Sequence, residues 1–323
     1  MRRRELLLAL GGLGLCPLPV QAQARRRIAI VLPGKREDAD AEPRPFIAEM
    51  RRLGWNETNN VAYERFYAGG SRGRLDPLAE AVAERRPDLV VALNAATARA
   101  AMTALPATPV VFIAGADPVA GGLVKSLREP AVNATGVFQM VADALGKRLE
   151  LAHEVFPQST RIGVLFDVDA SDHALQKREH AAIALPKGLS LAPVGIRSAS
   201  GIGEALARIK SLGASAFLTV PSFPVLAHRK ELVAAALQAR LAPIGHRTEF
   251  ADSGALFSFG ADAFDLQKRA ADLANRVLRG ARPATTPVER ATKFELVFNL
   301  RTARELGIEV PRNVLLRADR VIE

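Results

Sequence analysis

From Arg25 the chain alternates short apolar, β-branched runs with segments of helical period. "RIAIVL" (27–32), "VAYERFY" (61–67), "DLVVAL" (88–93), "PVVFIAG" (109–115) and "ATGVF" (134–138) predict strands. Between the first four lie "EPRPFIAEMRRLGW", "RLDPLAEAVAERR" and "NAATARAAMTAL", and "GGLVKSL" after the fourth predicts a short helix. After the helical "ALGKRLELAHEVF" the pattern restarts with strands at 161–166, 190–196 and 216–221. The intervening helices are "HALQKREHAAIA", "GIGEALARIKSL" and "LAHRKELVAAALQARL". Unbroken apolar strands separated by helices imply parallel sheets covered on both faces. Two successive sets imply two lobes. The remainder is less regular: a strand "GALFSFG" (254–260), an amphipathic helix "DAFDLQKRAADLANRVLRG", an extended "ARPATTPVE" and a strand "FELVFNL" (294–300).

Residues 1–24 do not belong to this pattern. Arg2, Arg3 and Arg4 precede a short apolar run from Leu6 to Leu15, and Ala22-Gln23-Ala24 supplies small residues for cleavage. That is the layout of a secretory signal peptide, too short to span a bilayer. It is compatible with general or twin-arginine export. Leu15, larger than the residue that lipoprotein signals carry at that place, argues against lipidation at Cys16. Cleavage near Ala24 removes the sole cysteine, so the exported chain relies on its cores.

The 323 residues, 49% hydrophobic, suffice for two lobes of ordinary domain size. The net charge of +10 raises nucleic acid as a partner. The arginines, however, are spread over many helices beside acids, as in "AEAVAERR", and no DNA-binding module precedes the first strand. The charge therefore reads as a solvated surface.

Patterns suggestive of catalysis fail on detail. "GASAF" (213–217) lacks the second glycine of a nucleophile elbow, and Ser215 precedes a strand instead of ending one. "GIGEAL" (201–206) lacks the third glycine of a dinucleotide turn and reads as a helix start capped by Ser198 or Ser200. His153, His173, His180, His228 and His246 never show close metal-ligand spacing. The expectation is a binding protein with no catalytic centre, metal or cofactor.

Ligands of open α/β sheets bind beyond the carboxyl ends of the strands. Those turns hold Asn94, Ala96 and Thr97 after the third strand, Asp117 after the fourth, and Asp167, Ser171 and Ser222 in the second lobe. Asn94 and Asp117-Pro118 are also good helix caps, so each has a structural reading beside the ligand-binding one.

The order of signals resembles the exported substrate-binding proteins of ATP-driven (ABC) importers, among whose relatives are tryptophan- and phenylalanine-type amino-acid binders. The likeness is carried by "FIAEMRRLGWNETNNVAYERFYAGGSRGRLDPLAEAVAERRPDLVVA", "TPVVFIAGADPVAGGLVKSL", "NATGV", "GKRLELAHEVFP", "RIGVLFD" and, most specifically, the closing "PVERATKFELVFNLRTARELGIEVPRNVLLRADRVIE". It implies a type I periplasmic-binding (Venus-flytrap) fold: two Rossmann-like lobes with parallel sheets joined by three crossovers. Lobe I would comprise 25–138 plus about 260–283, and lobe II 139–259 plus about 284–323. It further implies a periplasmic monomer that captures a small organic ligand, an amino acid or a related compound, and hands it to an inner-membrane ABC permease. A sensory module signalling to a membrane receptor is the alternative, and an envelope hydrolase a weaker one. The chain departs from the resemblance in two places: relatives that bind amino acids often carry Asn where it has Asp167, and Asp near where "PSFP" stands.

Overall fold

The computed structural model describes residues 25–36, 43–169, 183, 185, 188–221, 225–226 and 228–323. In the first lobe, β1 (Arg26–Leu32), α1 (Arg44–Arg52), β2 (Val61–Tyr67), α2 (Leu75–Glu84), β3 (Leu89–Ala92), α3 (Ala95–Ala104), β4 (Val110–Ala114) and β5 (Ala134–Phe138) follow in order. The chain then enters the second lobe through α4 (Val141–Val155), β6 (Arg161–Asp167), β7 (Ser190–Ile196), α5 (Ile202–Ser211), β8 (Ala216–Thr219), α6 (Arg229–Gln238), β9 (Ala242–Gly245), α7 (Thr248–Asp252) and β10 (Phe257–Ala261). The last elements are α8 (Ala263–Leu278), β11 (Glu289–Arg290), β12 (Phe294–Asn299), α9 (Leu300–Leu306), α10 (Arg312–Leu315) and β13 (Arg320–Ile322). No helix of the described residues is long and apolar enough to cross a membrane.

Two sheets result, with strand orders β11-β5-β4-β3-β1-β2 and β13-β12-β10-β9-β8-β6-β7. The first is parallel throughout. In the second, β12 runs against β10, with Phe294 opposite Ala261, and β13 follows β12. The reversal has a topological cause. β10 ends at the edge facing the other lobe, so a chain that leaves there and comes back must re-enter from the same edge. Three passages join the lobes, after β5, after β10 and after β11. At the first, Met140 is held left-handed (φ 53°, ψ 51°), a backbone state that a non-glycine residue adopts at a cost of about 1–2 kcal/mol.

Each strand alternates its burial between two cores, as a doubly covered sheet requires. Ile28, Ile30 and Leu32 pack with Phe46, Met50, Leu266 and Leu273 on one face of the first sheet, and α8 thereby rejoins the first lobe. Ala29 and Val31 face the opposite core with Val90, Ala98 and Phe112. In the second lobe, Val164 and Leu218 share a core with Leu145 and Leu149 of α4, while Leu165 and Phe217 face Leu206 and Leu232.

Three local expectations need correction. β9 lies within "LAPIGH", where the pattern predicts only the end of a helix at Leu241; Pro243 and Gly245 hide the strand, yet it sits between β8 and β10. "GGLVKSL" forms no α-helix: Gly121 and Gly122 disfavour one, and Gly122 turns the chain at φ +70°. No serine side chain caps the start of α5; Ser198 and Ser200 bond each other at 2.9 Å. The predicted helix at 173–184 falls almost wholly outside the described residues.

Candidate functional site

Strand order locates a crevice in each lobe. β1 lies between β2 and β3, and β6 between β7 and β8, so the order reverses at β1/β3 and at β6/β8. Such switch points open a crevice at the carboxyl edge of a sheet. Asn94 follows β3, Asp167 ends β6, and Thr219 ends β8.

At the first switch point Asn94 and Thr97 form a reciprocal capping box. Asn94 Oδ1 accepts from Thr97 N at 2.7 Å, and Asn94 N donates to Thr97 Oγ1 at 3.3 Å. The Thr97 hydroxyl is buried and bonds back to Asn94, so it is committed to the helix start. Ala96 is half-buried in the same first turn, where amide N–H groups have no partner within the helix. Asn94→Ala is expected to cost about 1 kcal/mol in chemical denaturation, the usual loss for an N-cap. Asp117, after β4, accepts from Val119 N at 2.7 Å and Ala120 N at 3.2 Å. It thus caps an isolated turn, closed by Gly121 N to Asp117 O at 2.8 Å, in place of the helix expected there.

The two carboxyl edges meet. Gly115, just past β4, lies so near the second lobe that a Cβ placed on it would stand 3.5 Å from the Pro221 ring and 3.6 Å from Val141. More telling is an ion pair: Arg72 Nη2, in the turn after β2, lies 2.9 Å from Asp167 Oδ2. The Asp167 side chain is only 4% exposed and the Arg72 side chain 35%. Asp167 Oδ1 also accepts from Asp169 N at 3.0 Å. Ser171 and Ser222 lie outside the described residues.

Below the second edge sits a buried polar group of a different kind. Arg148, on the apolar face of α4, is 1% exposed. Its Nη1 donates to the Thr219 carbonyl at 2.6 Å and its Nε to the Ala144 carbonyl at 3.4 Å. No carboxylate pairs with it among the described residues, and burial pushes its guanidinium down to about 9. Thr219 Oγ1 lies 2.9 Å from His246 Nδ1, and the imidazole packs against Phe250 at 5.0 Å. Burial first, then the Arg148 and Arg247 charges, hold His246 well below the ordinary histidine value, so it is neutral.

Strand-end reasoning brings Asn94, Ala96, Thr97, Asp117 and Asp167 to these edges but passes over Arg72, Arg148 and His246. Arg72 has a sequence signal, since "AGGSRGR" follows β2 as directly as Asn94 follows β3. Arg148 carries a fainter one, a charged residue in phase with Leu145, Leu149 and Ala152 on the buried face. Metal-ligand spacing does not single out His246.

Two α/β lobes, joined by three passages and facing each other across their switch points, define a two-lobed solute-binding protein. Over residues 28–322 the chain matches, and belongs to, the ABC transporter substrate binding protein family. It is 26% identical over 271 residues to a tyrosine-binding protein of Clostridioides difficile (strain R20291), covering 84% of this chain and 77% of that protein. A crystal structure of an ABC domain in complex with L-Trp from Streptococcus pneumoniae superposes with a TM-score of 0.85 at 23% identity, covering 93% of this chain and all of the other. A conserved domain protein from Vibrio cholerae gives the same TM-score at 25% identity, covering 92% and 99% of the two chains.

Proposed function

We propose that the chain is exported and captures a small organic ligand of amino-acid size between its lobes, closing on it and delivering it to an ABC permease. One observation carries this reading: the Arg72–Asp167 pair joins the carboxyl edge of the first sheet, beside β2, to the switch point of the second, so a ligand seated there would touch both lobes and favour their closure. The moving bodies would be 25–138 with about 260–290, and 139–259 with about 291–323. The last boundary falls after β11 because that strand pairs with β5.

Asn94, Ala96, Thr97, Asp117, Asp167, Ser171 and Ser222 are proposed to line the closing surfaces, joined by Arg72 and Arg148. Thr97 would act through its helix start, since its hydroxyl is engaged. The family assignment and the likeness to a tyrosine-binding protein support a binding role over catalysis. The test is calorimetric titration of the mature chain with amino acids, including L-Tyr and L-Trp, and their deaminated and decarboxylated analogues. Saturable binding that compacts the molecule in X-ray scattering supports capture. A panel without any binder, together with no ligand in native mass spectra of freshly purified protein, would refute it.

A further inference from the structure

Resting on that reading, we infer that the cleft selects an organic acid without a free ammonium group over a zwitterionic amino acid, its carboxylate received by Arg72 and Arg148. An amino acid carries both signs of charge, and burying it requires a protein anion for the ammonium as well as donors for the carboxylate. The described edge has the donors in excess.

Asp167, the buried anion at this edge among the described residues, ends the switch-point strand of the second lobe, which would suit it to an ammonium. Its carboxylate already meets the Arg72 guanidinium through Oδ2 and the Asp169 amide through Oδ1. The protein thus supplies its own cation where an amino acid would bring one. Asp117 keeps its charge, since its Oδ1 accepts only from two amides, but it stands at an exposed turn where water screens it and weakens its hold on an ammonium.

The donors are less committed. Arg72 Nη1 is buried with no hydrogen-bond partner among the described residues, while Nη2 holds Asp167. Arg148 spends Nε and Nη1 on two carbonyls, and no hydrogen bond joins its Nη2 to a described residue. A carbonyl satisfies an N–H but does not neutralise a charge, so Arg148 remains a buried cation without a counter-charge among the described residues. Its depressed proton affinity has burial as its only cause.

Both arginines serve one edge. Leu165 of β6 pairs with Thr219 of β8, so Asp167 stands level with Pro221, two residues beyond the carbonyl that Arg148 holds. Neighbouring strands are about 5 Å apart, so Arg72, held by Asp167 of β6, and Arg148, held by the Thr219 carbonyl of β8, bracket the same switch point. Neutral His246, bonded to Thr219, leaves the positive charge to the arginines.

Matched triads test the inference by calorimetry on the mature chain: L-Trp, indole-3-propionate and tryptamine; L-Tyr, 3-(4-hydroxyphenyl)propionate and tyramine; L-Leu, 4-methylpentanoate and isopentylamine. The expected result is that a deaminated acid binds at least about tenfold more tightly than its amino acid, and that no amine binds. Arg148→Met, checked for a cooperative melt, should lose about 100-fold in acid affinity, and Arg148→Lys should recover part of it. If Arg148→Met does not fold, Arg72→Gln should show a comparable loss. An amino acid that outcompetes its acid, an amine that binds, or acid affinity unchanged in the folded variants overturns the inference and leaves solute capture standing. Should no triad member bind, the ligand found in native mass spectra decides: an ammonium-free acid supports the inference, and an amine or amino acid overturns it. No ligand by either route removes solute capture and the inference together.

Discussion

Arg72→Ala is expected to open the protein before it unfolds it. The substitution takes the Arg72 charge away from Asp167, whose side chain is 4% exposed. Removing one partner of a buried ion pair costs about 3–5 kcal/mol, whereas an exposed pair contributes at most about 1. With Arg72 itself 35% exposed, the value for this site lies between, at roughly 2 kcal/mol. Unlike a core residue, however, Asp167 is covered in part by the opposite lobe, so separating the lobes rehydrates it without disrupting either core. The penalty should therefore appear as a shift of about 30-fold toward the open state. X-ray scattering of the protein without added ligand should show a larger radius of gyration for Arg72→Ala. Adding Asp167→Asn removes the buried charge and should restore most of the compaction. If Arg72→Ala scatters like the parent and loses its stability in global unfolding instead, the pair is an ordinary surface bridge.

This division of labour explains which features are legible in the sequence. Strands such as β1 and β4 are continuous apolar runs because both faces are covered, and that pattern is local. Strand ends follow from strands, so the hydrophobic pattern alone places Asn94 and Asp167. It does not place β9, whose four residues include Pro243 and Gly245 and are strand only by virtue of neighbours from either side. Nor does it tell the turn after Asp117 from a helix, since an Asp-Pro start is the same for both and only Gly121 and Gly122 decide it. The Arg72–Asp167 contact joins residues 95 positions apart across two lobes. Arg148 looks like one more arginine in an Arg-rich chain until its helical phase is compared with the buried face of α4. The polar chemistry at the switch points depends on which turns the fold brings together, and that information is not local.

Acid should weaken the fold well above the range in which carboxylates titrate, with His246 as the cause. Buried against Phe250 and beside Arg148, the imidazole has its proton affinity held well below the ordinary histidine value of 6.5. In the unfolded chain it returns to that value. Below pH 6.5, then, the unfolded state binds a proton that the native state refuses, and stability falls with pH by about 1.4 kcal/mol per unit. The contribution is complete above pH 6.5 and is lost progressively as pH falls toward the depressed native value. Glu49, held low by Arg52, and Asp262, whose burial is outweighed by Lys293 and two backbone amides, add losses of the same sign only below the carboxylate range of the unfolded chain. Asp272 and Glu295, raised by burial, act in the opposite sense just above that range. A difference experiment isolates the histidine. His246→Asn can keep a hydrogen bond to the Thr219 hydroxyl but has no proton to gain, and the other four histidines and all the carboxylates are common to both proteins. The variant should be the less stable at pH 8, having lost the packing on Phe250, and the gap in urea-unfolding free energy should shrink as pH falls from 6.5 to 5, at a slope of up to about 1.4 kcal/mol per unit. A gap that stays constant across this window would mean that native His246 accepts its proton as readily as the unfolded chain, and that neither its burial nor the Arg148 charge holds it neutral.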